Sequence, residues 1–136
     1  MDLATFLLAR LAEDEQAALT ATYCQEDAHE DVVNWHLDNE VQPAEIVGSD
    51  GLGIIQARTQ HPGVLAHIAR HDPARVLAEV EAKRRIVDAF VRYDEESSDP
   101  CESCWAQGLG EALRLLALPY ADHPECHPSW LPAVKT

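Results

Sequence analysis

Residues 72–91, which read DPARVLAEVEAKRRIVDAFV, are the most regular stretch of the sequence and predict its longest helix. Asp72 is suited to cap a helix N-terminus, and Pro73 to occupy the first helical position, where a missing N–H costs nothing. Apolar residues then recur every three or four positions, and Glu81 precedes Arg85 by four residues in the stabilising orientation. A long amphipathic helix therefore organises the predicted fold.

Two further amphipathic helices are predicted, one before and one after this helix in the sequence. Apolar residues recur from Asp2 to about Tyr23, and a capping-box-like start at Asp99 opens a helix that ends before Pro119. Residues 44–57 contain two short apolar runs around a Gly-Ser-Asp-Gly turn, which predicts a β-hairpin. The sequence thus predicts an α+β fold, mostly helical, with three main helices and a small inserted β-hairpin or three-stranded sheet.

The length of the chain, 136 residues, is typical of one domain. We expect a single α+β domain over residues 1–120, and an extended Pro-rich tail over residues 121–136 that packs on the domain or trails from it. The predicted core follows the apolar helical faces and includes Phe6, Leu7, Leu11, Val76, Val80, Val87, Trp105, Leu109, Leu113 and Leu116.

The charge balance excludes several classes of function. Asp and Glu number 24 against 10 Lys and Arg, which gives a formal net charge of −14. Such a field repels phosphate backbones, so we expect no direct nucleic-acid binding.

No stretch approaches the roughly 20 apolar residues of a membrane span, and the start of the chain lacks the features of a signal peptide. We therefore expect a cytoplasmic protein; the sequence leaves homo-oligomerisation open.

The cysteines and histidines offer a candidate zinc site. Cys101 and Cys104 are spaced to chelate one ion, and His67 and His71 are four apart on a predicted helix. The simpler interpretation is that the two cysteines are ordinary helix residues. Zinc, structural or hydrolytic, is the one cofactor that the sequence suggests, with ligands drawn from Cys101, Cys104, His67, His71, Cys126 and His127.

Residues 67–86 (HIARHDPARVLAEVEAKRRI) and 113–124 (LRLLALPYADHP), with residues 6–16 (FLLARLAEDEQ), resemble an uncharacterised family of small actinobacterial, Streptomyces-type proteins, a domain of unknown function. The resemblance implies a cytosolic actinobacterial or phage-borne protein, and it implies no activity. It also implies that some relatives carry a further Cys and a His where this chain has Gly110 and Phe90. A metal site of that type would lack two ligands here.

No catalytic constellation stands above background, because the chain has neither a nucleophile elbow nor a phosphate loop. Our leading hypothesis is a non-catalytic protein-binding or regulatory module whose acidic surface selects its partner. A zinc protein and an acidic, nucleic-acid-mimicking inhibitor are the alternatives. The predicted binding surface consists of polar residues that helix formation alone does not require. They are Arg70, His71, Asp72, Arg75, Asp122 and His123.

Overall fold

The computed structural model describes residues 1–22, 34–38, 40, 45–48, 53–56, 62–96 and 100–132. Within these ranges the protein is mostly helical, as predicted. Its helices and strands are, in chain order, α1 (Leu3–Ala21), β1 (Trp35–Asp38), β2 (Glu45–Gly48), β3 (Gly53–Gln56), α2 (Pro62–Arg70), α3 (Pro73–Glu96) and α4 (Pro100–Leu116). The three predicted main helices correspond to α1, α3 and α4, and the short α2 makes a fourth among the described residues. None of these helices is long and apolar enough to cross a membrane.

The three strands form an antiparallel sheet in the order β1–β2–β3. Trp35 at the start of β1 pairs with Gly48, and Ile46 of β2 pairs with Ile55 of β3. The β2–β3 pair confirms the predicted hairpin, whose turn at residues 49–52 lies outside the described residues. Two short apolar runs around a turn with an Asp-Gly step were sufficient to predict this pairing.

Helix α3 begins as its sequence predicts. Oδ1 of Asp72 accepts the backbone N–H of Arg75 at 2.9 Å, which satisfies one of the unpaired donors at the helix start. The other oxygen of Asp72 accepts the backbone N–H of Trp35 at 3.2 Å, so one carboxylate joins the helix to β1. Farther along α3, Glu81 and Arg85 form the predicted ion pair at 2.8 Å, an exposed contact of small energetic value.

Helix α1 also starts with an aspartate cap. Oδ1 of Asp2 accepts the backbone N–H of Thr5 at 2.8 Å, and Oδ2 accepts the Thr5 hydroxyl at 3.1 Å. These hydrogen bonds, the backbone one first, stabilise the carboxylate and lower the pKa of Asp2 below its ordinary value of 3.8. The helix therefore begins one residue after Asp2, where its sequence pattern begins.

The chain divides into two compact units: a terminal unit of Met1–Glu13 and Val80–Thr136, and a central unit of Asp14–Glu79. Apolar residues buried in the terminal unit are Ala4, Phe6, Leu7, Leu11, Val80, Val87, Leu113 and Ala117. Those buried in the central unit are Ala18, Ile46, Val47 and Leu65. The predicted single domain over residues 1–120, with its tail over residues 121–136, is not tested by this division and stays a prediction.

The predicted core needs one correction. Phe6, Leu7, Leu11, Val80, Val87 and Leu113 are buried, and Val76, Leu109 and Leu116 are half-buried. The prediction for Trp105 is wrong, because this side chain is 64% exposed. Helical spacing identifies an apolar arc on α4, but it does not say how much of that arc the rest of the unit covers.

The chain after α4 forms two short 3₁₀ helices, Leu118–Tyr120 and Pro128–Trp130, each with a proline in its first turn. The fixed φ of proline suits that position. The Trp130 ring lies 5.3 Å from the Phe6 ring, between centroids, and Cys126 packs against the same core cluster. This segment therefore contributes apolar side chains to the core of the terminal unit.

Candidate functional site

Arg10 of α1 is a buried cation in the terminal unit, with its side chain 8% exposed. Its Nη2 donates to Oε1 of Glu13 at 2.8 Å, and its Nη1 donates to Oε2 of Glu125 at 3.2 Å. The guanidinium also lies over the Phe6 ring, 5.3 Å from the ring centre. A charge removed from water needs such partners, so Arg10 joins α1 to the segment after α4.

His123, a predicted binding residue, belongs to this cluster. Its Nδ1 lies 2.7 Å from Nη1 of Arg10 and 3.1 Å from the backbone nitrogen of Glu125, and Nη1 also contacts Nε2. The backbone N–H of Glu125 donates to Nδ1. The ring also meets Phe6 edge-on, with centroids 5.7 Å apart. His123 thus has a structural role, while its neighbour Asp122 is exposed.

The other four predicted binding residues, Arg70, His71, Asp72 and Arg75, lie in the central unit. The rings of His67 and His71 are 4.6 Å apart, as their four-residue spacing predicts. Nε of Arg75 donates to Oε1 of Glu79 at 2.8 Å. Arg70 and His71 are exposed. Asp72 is therefore engaged within the fold, whereas Arg70, His71 and Arg75 present their side chains to solvent, Arg75 in a surface ion pair.

The predicted zinc ligands have varied surroundings. Cys104 is exposed, whereas Cys126 is half-buried against the core of the terminal unit. Nδ1 of His127 accepts the backbone N–H of Ser129 at 3.3 Å and so caps a 3₁₀ helix. The Cys101 side chain lies outside the described residues. Among the side chains that the structure describes, no three of His, Cys, Asp and Glu are grouped to hold a metal; zinc binding stays a prediction.

Gly110 and Phe90, where the family resemblance implies missing ligands, are neighbours in the terminal unit. A Cβ added at Gly110 would lie 3.5 Å from Cε2 of Phe90, an ordinary van der Waals distance. Helix α4 therefore passes the Phe90 ring of α3 at Gly110. Neither side chain offers a metal ligand, so this contact is one of packing.

An exposed apolar face on α4 escaped the sequence-based prediction. Trp105 is 64% exposed and Leu115 is 57% exposed, and Cys104 and Gly108 are exposed as well. At ~100° per residue, these four positions fall within an arc of roughly 100°, away from the buried Leu113. We call the four residues the α4 face. The feature of the sequence that could have indicated this face is the apolar arc on α4, which is wider than one buried stripe requires.

Gly108 makes a notch in this face. The notch is a shallow depression lined by Cys104, Trp105, Gly108 and Leu109. A Cβ added at Gly108 would meet no described heavy atom within 4 Å, so packing within the described residues gives no reason for a glycine. A glycine inside a helix costs about 1 kcal/mol relative to alanine. A large exposed aromatic ring beside an open notch is typical of a protein contact surface.

The central unit has a cleft of its own, which includes the predicted residue His71. Its lining is Asp14, Ala17, Ala18, Ala21, Trp35, His71, Pro73 and Val76. The indole Nε1 of Trp35 is buried and has no hydrogen-bond partner among the described residues.

Fold and surface together define a small, mostly helical α+β protein with an exposed apolar helix face and a strongly acidic composition. Over residues 1–132 the chain matches a family of unknown function (DUF6221), and it belongs to that family. The resemblance seen in the sequence is thereby confirmed as to family. No curated protein and no solved structure matches the chain.

Proposed function

We propose that this protein is a non-catalytic, cytoplasmic protein-binding module, and that the α4 face is its contact surface. The exposure of Trp105 carries the proposal, because a tryptophan offers 150–250 Å² of mainly apolar surface. At about 25 cal/mol per Å², leaving most of that area in water forgoes several kcal/mol. A partner that covers Trp105 recovers this free energy, and tryptophan is enriched among the residues that dominate binding.

The net charge of −14 supports a protein partner over a nucleic acid. A phosphate backbone would be repelled by such a field, whereas a basic protein would be drawn towards it. Long-range attraction raises the association rate, and apolar burial at the contact then sets the lifetime of the complex. Charge and apolar surface thus have separate roles in the proposed complex.

The polar residues predicted from the sequence have a secondary place in this proposal. Arg70, His71, Arg75 and Asp122 are exposed and are proposed as further contacts with a partner. Asp72 caps α3, and His123 contacts the buried Arg10, so replacing either one would also disturb the fold. Loss of binding in an Asp72 or His123 variant could therefore come from a lost contact with the partner or from a disturbed fold. Trp105 is the better probe, because its side chain is exposed.

The proposal is tested by affinity capture from a lysate of the source organism. Wild-type protein, Trp105→Ala and Tyr93→Ala are immobilised at equal density, and retained proteins are identified by mass spectrometry. Tyr93 is the matched control because it is an exposed aromatic residue on α3, in the same unit. We expect a defined protein that wild type and Tyr93→Ala retain and Trp105→Ala loses. Equal retention by all three would refute the proposed surface.

Zinc binding through Cys101 and Cys104 is a second proposal, favoured by the solvent exposure of the Cys104 thiol. Two thiols three residues apart on α4 would supply half of a tetrahedral site. Native mass spectrometry of protein purified without chelator tests it. One zinc mass that chelator removes supports the proposal, and a chain without added mass refutes it. Cys101→Ser and Cys104→Ser, with Cys126→Ser beside them, would then show which thiols take part.

A further inference from the structure

We propose that His67 and His71 bind one divalent transition-metal ion, nickel or copper, at the end of α2. The site lies in the central unit, whereas the α4 face belongs to the terminal unit, so it does not depend on the proposed function. It also needs neither Cys101 nor Cys104, which distinguishes it from the zinc proposal. The close approach of the two imidazole rings, 4.6 Å between centroids, carries the assignment.

The separation of the two rings fits one shared ion. An imidazole nitrogen lies about 2.0–2.1 Å from the ion that it binds, and the ring centre lies roughly 1 Å farther out. Two rings that meet an ion at a right angle therefore have centres about 4.5 Å apart, and at the tetrahedral angle about 5 Å. The observed separation of 4.6 Å is closer to the first value. Right angles belong to the tetragonal sites of nickel and copper, whereas zinc is tetrahedral.

The backbone holds the two histidines in this relationship. His67 lies in the last turn of α2, and the N–H of His71 donates to the carbonyl of Ile68 at 3.0 Å, which extends the helical turn by one residue. The next residue, Asp72, is fixed by hydrogen bonds to the start of α3 and to β1. Only side-chain rotations are therefore needed to turn one nitrogen of each ring towards an ion. Ligands that are already placed lose little conformational freedom on binding.

The rings of this pair are available to a ligand. Both side chains are exposed, and neither ring makes a hydrogen bond or an ion pair with another residue that the structure describes. By contrast, His123 and His127 use ring nitrogens for contacts within the fold. Imidazole is the commonest metal ligand in proteins, and it binds through a nitrogen that carries no proton. His67 and His71 therefore combine the ligand chemistry with the exposure that a metal requires.

The charge around the pair favours a cation. The negative end of a helix dipole lies at the helix C-terminus, which is where the pair lies on α2. The chain as a whole has a formal charge of −14, and Asp14 lines the same cleft as His71. Arg70 is the positive residue nearest in sequence. Its side chain is exposed and long enough to extend into solvent, away from a bound ion.

Two protein ligands determine the kind of ion. Calcium and magnesium require oxygen ligands, and structural zinc requires four protein ligands. Among the side chains that the structure describes, no third His, Cys, Asp or Glu completes a set with this pair. The remaining positions therefore belong to water or to a donor atom of another molecule. Nickel and copper bind imidazole most tightly among the divalent ions of this series and accept such mixed coordination.

The test is isothermal calorimetry with Ni²⁺ alone, because copper also oxidises thiols. The full chain with Cys101→Ser and Cys104→Ser is the host protein, so that neither thiol contributes. We expect one ion per chain. His67→Gln and His71→Gln should each weaken binding about tenfold or more, since a single imidazole loses the advantage of a chelate. His36→Gln, an exposed histidine of β1 in the same unit, should change the affinity less than about twofold.

Equal nickel affinity in the host and in the His67→Gln, His71→Gln double variant would overturn the inference. Nuclear magnetic resonance of the histidine ring signals locates the ion independently, because Ni²⁺ is paramagnetic and broadens signals close to it. At substoichiometric Ni²⁺, the signals of His67 and His71 should broaden first. Uniform broadening of all seven histidines would indicate unspecific binding and would also overturn the inference. The same spectra show that each variant is folded.

Discussion

Arg10 and His123 lie 113 positions apart in the sequence, and Nη1 of Arg10 is 2.7 Å from Nδ1 of His123. The contact belongs to a cluster in which the buried guanidinium is shared between Glu13 and Glu125 and lies over the Phe6 ring. The segment after α4 is thus joined to α1 by a partly buried polar cluster around Arg10 as well as by apolar packing. The stability of the terminal unit should depend on Arg10 more than on any exposed charge.

Arg10→Ala is expected to lower the free energy of unfolding by about 2 kcal/mol, because it removes the packing of the buried side chain against Phe6 and its hydrogen bonds to two half-exposed carboxylates. Arg10→Met should lose less, since the stem is largely replaced. Urea unfolding followed by tryptophan fluorescence measures both. Arg85→Ala is the control, as Arg85 is 78% exposed and should cost less than about 0.5 kcal/mol. Similar losses at Arg10 and Arg85 would contradict the burial of Arg10.

Leu113 and Leu115 provide a matched pair on one helix. Leu113 is fully buried and Leu115 is 57% exposed. We expect Leu113→Ala to cost roughly 2–5 kcal/mol of folding stability through the cavity that it leaves. Leu115→Ala should cost about 0.5 kcal/mol or less. Thermal and urea unfolding measure both losses of stability. A loss at Leu115 larger than about 0.5 kcal/mol would show that the α4 face is buried.

The cap at Asp2 predicts a small dependence of stability on pH. Its pKa is lowered in the folded protein, so the ionised cap contributes stability above the unfolded pKa, and this contribution is lost as the pH falls from about 3.8 through the folded pKa. At neutral pH, Asp2→Ala should cost about 1 kcal/mol, and Asp2→Asn, which retains a cap, only a few tenths. Urea unfolding at pH 7 and pH 3 measures the free energy of unfolding of both proteins. The difference between wild type and Asp2→Asn should be smaller at pH 3 than at pH 7. A difference that grows in acid would contradict the cap.

Gly108→Ala is expected to stabilise the protein by about 0.5–1 kcal/mol, because the added methyl group meets no described atom within 4 Å and helix propensity improves. The melting temperature should rise by several degrees. Gly110→Ala is the companion variant, since its Cβ would contact Phe90 at an ordinary distance and should also be tolerated. Destabilisation by Gly108→Ala would show that the notch is filled within the folded chain.

Local signals were sufficient to predict most of the secondary structure. The Asp72-Pro73 pair marked the start of α3, and the Asp-Gly step marked the hairpin of β2 and β3. These features depend on a few neighbouring residues, as capping and turn formation do. The short α2 was predicted as a short helix and not as a main one, because its nine residues make only two to three turns.

The sites were harder to predict because they depend on contacts distant in sequence. Arg10 resembled an ordinary surface residue on a helical pattern, and only the fold brings His123 and Glu125 to it. Trp105 was assigned to the core because it shares the apolar arc of α4 with Leu109 and Leu116. Which part of that arc is covered depends on the neighbouring elements, and helical spacing contains no such information.

The most direct test of the central claim, that the α4 face binds another protein, is site-specific photo-crosslinking in cells of the source organism. Benzoylphenylalanine replaces Trp105 in one strain and Tyr93 in the control strain, and adducts are identified by mass spectrometry after irradiation. The account predicts one discrete adduct at position 105, heavier than the chain and containing a different protein, and no such adduct at position 93. No adduct at position 105, or the same adducts at both positions, would contradict it.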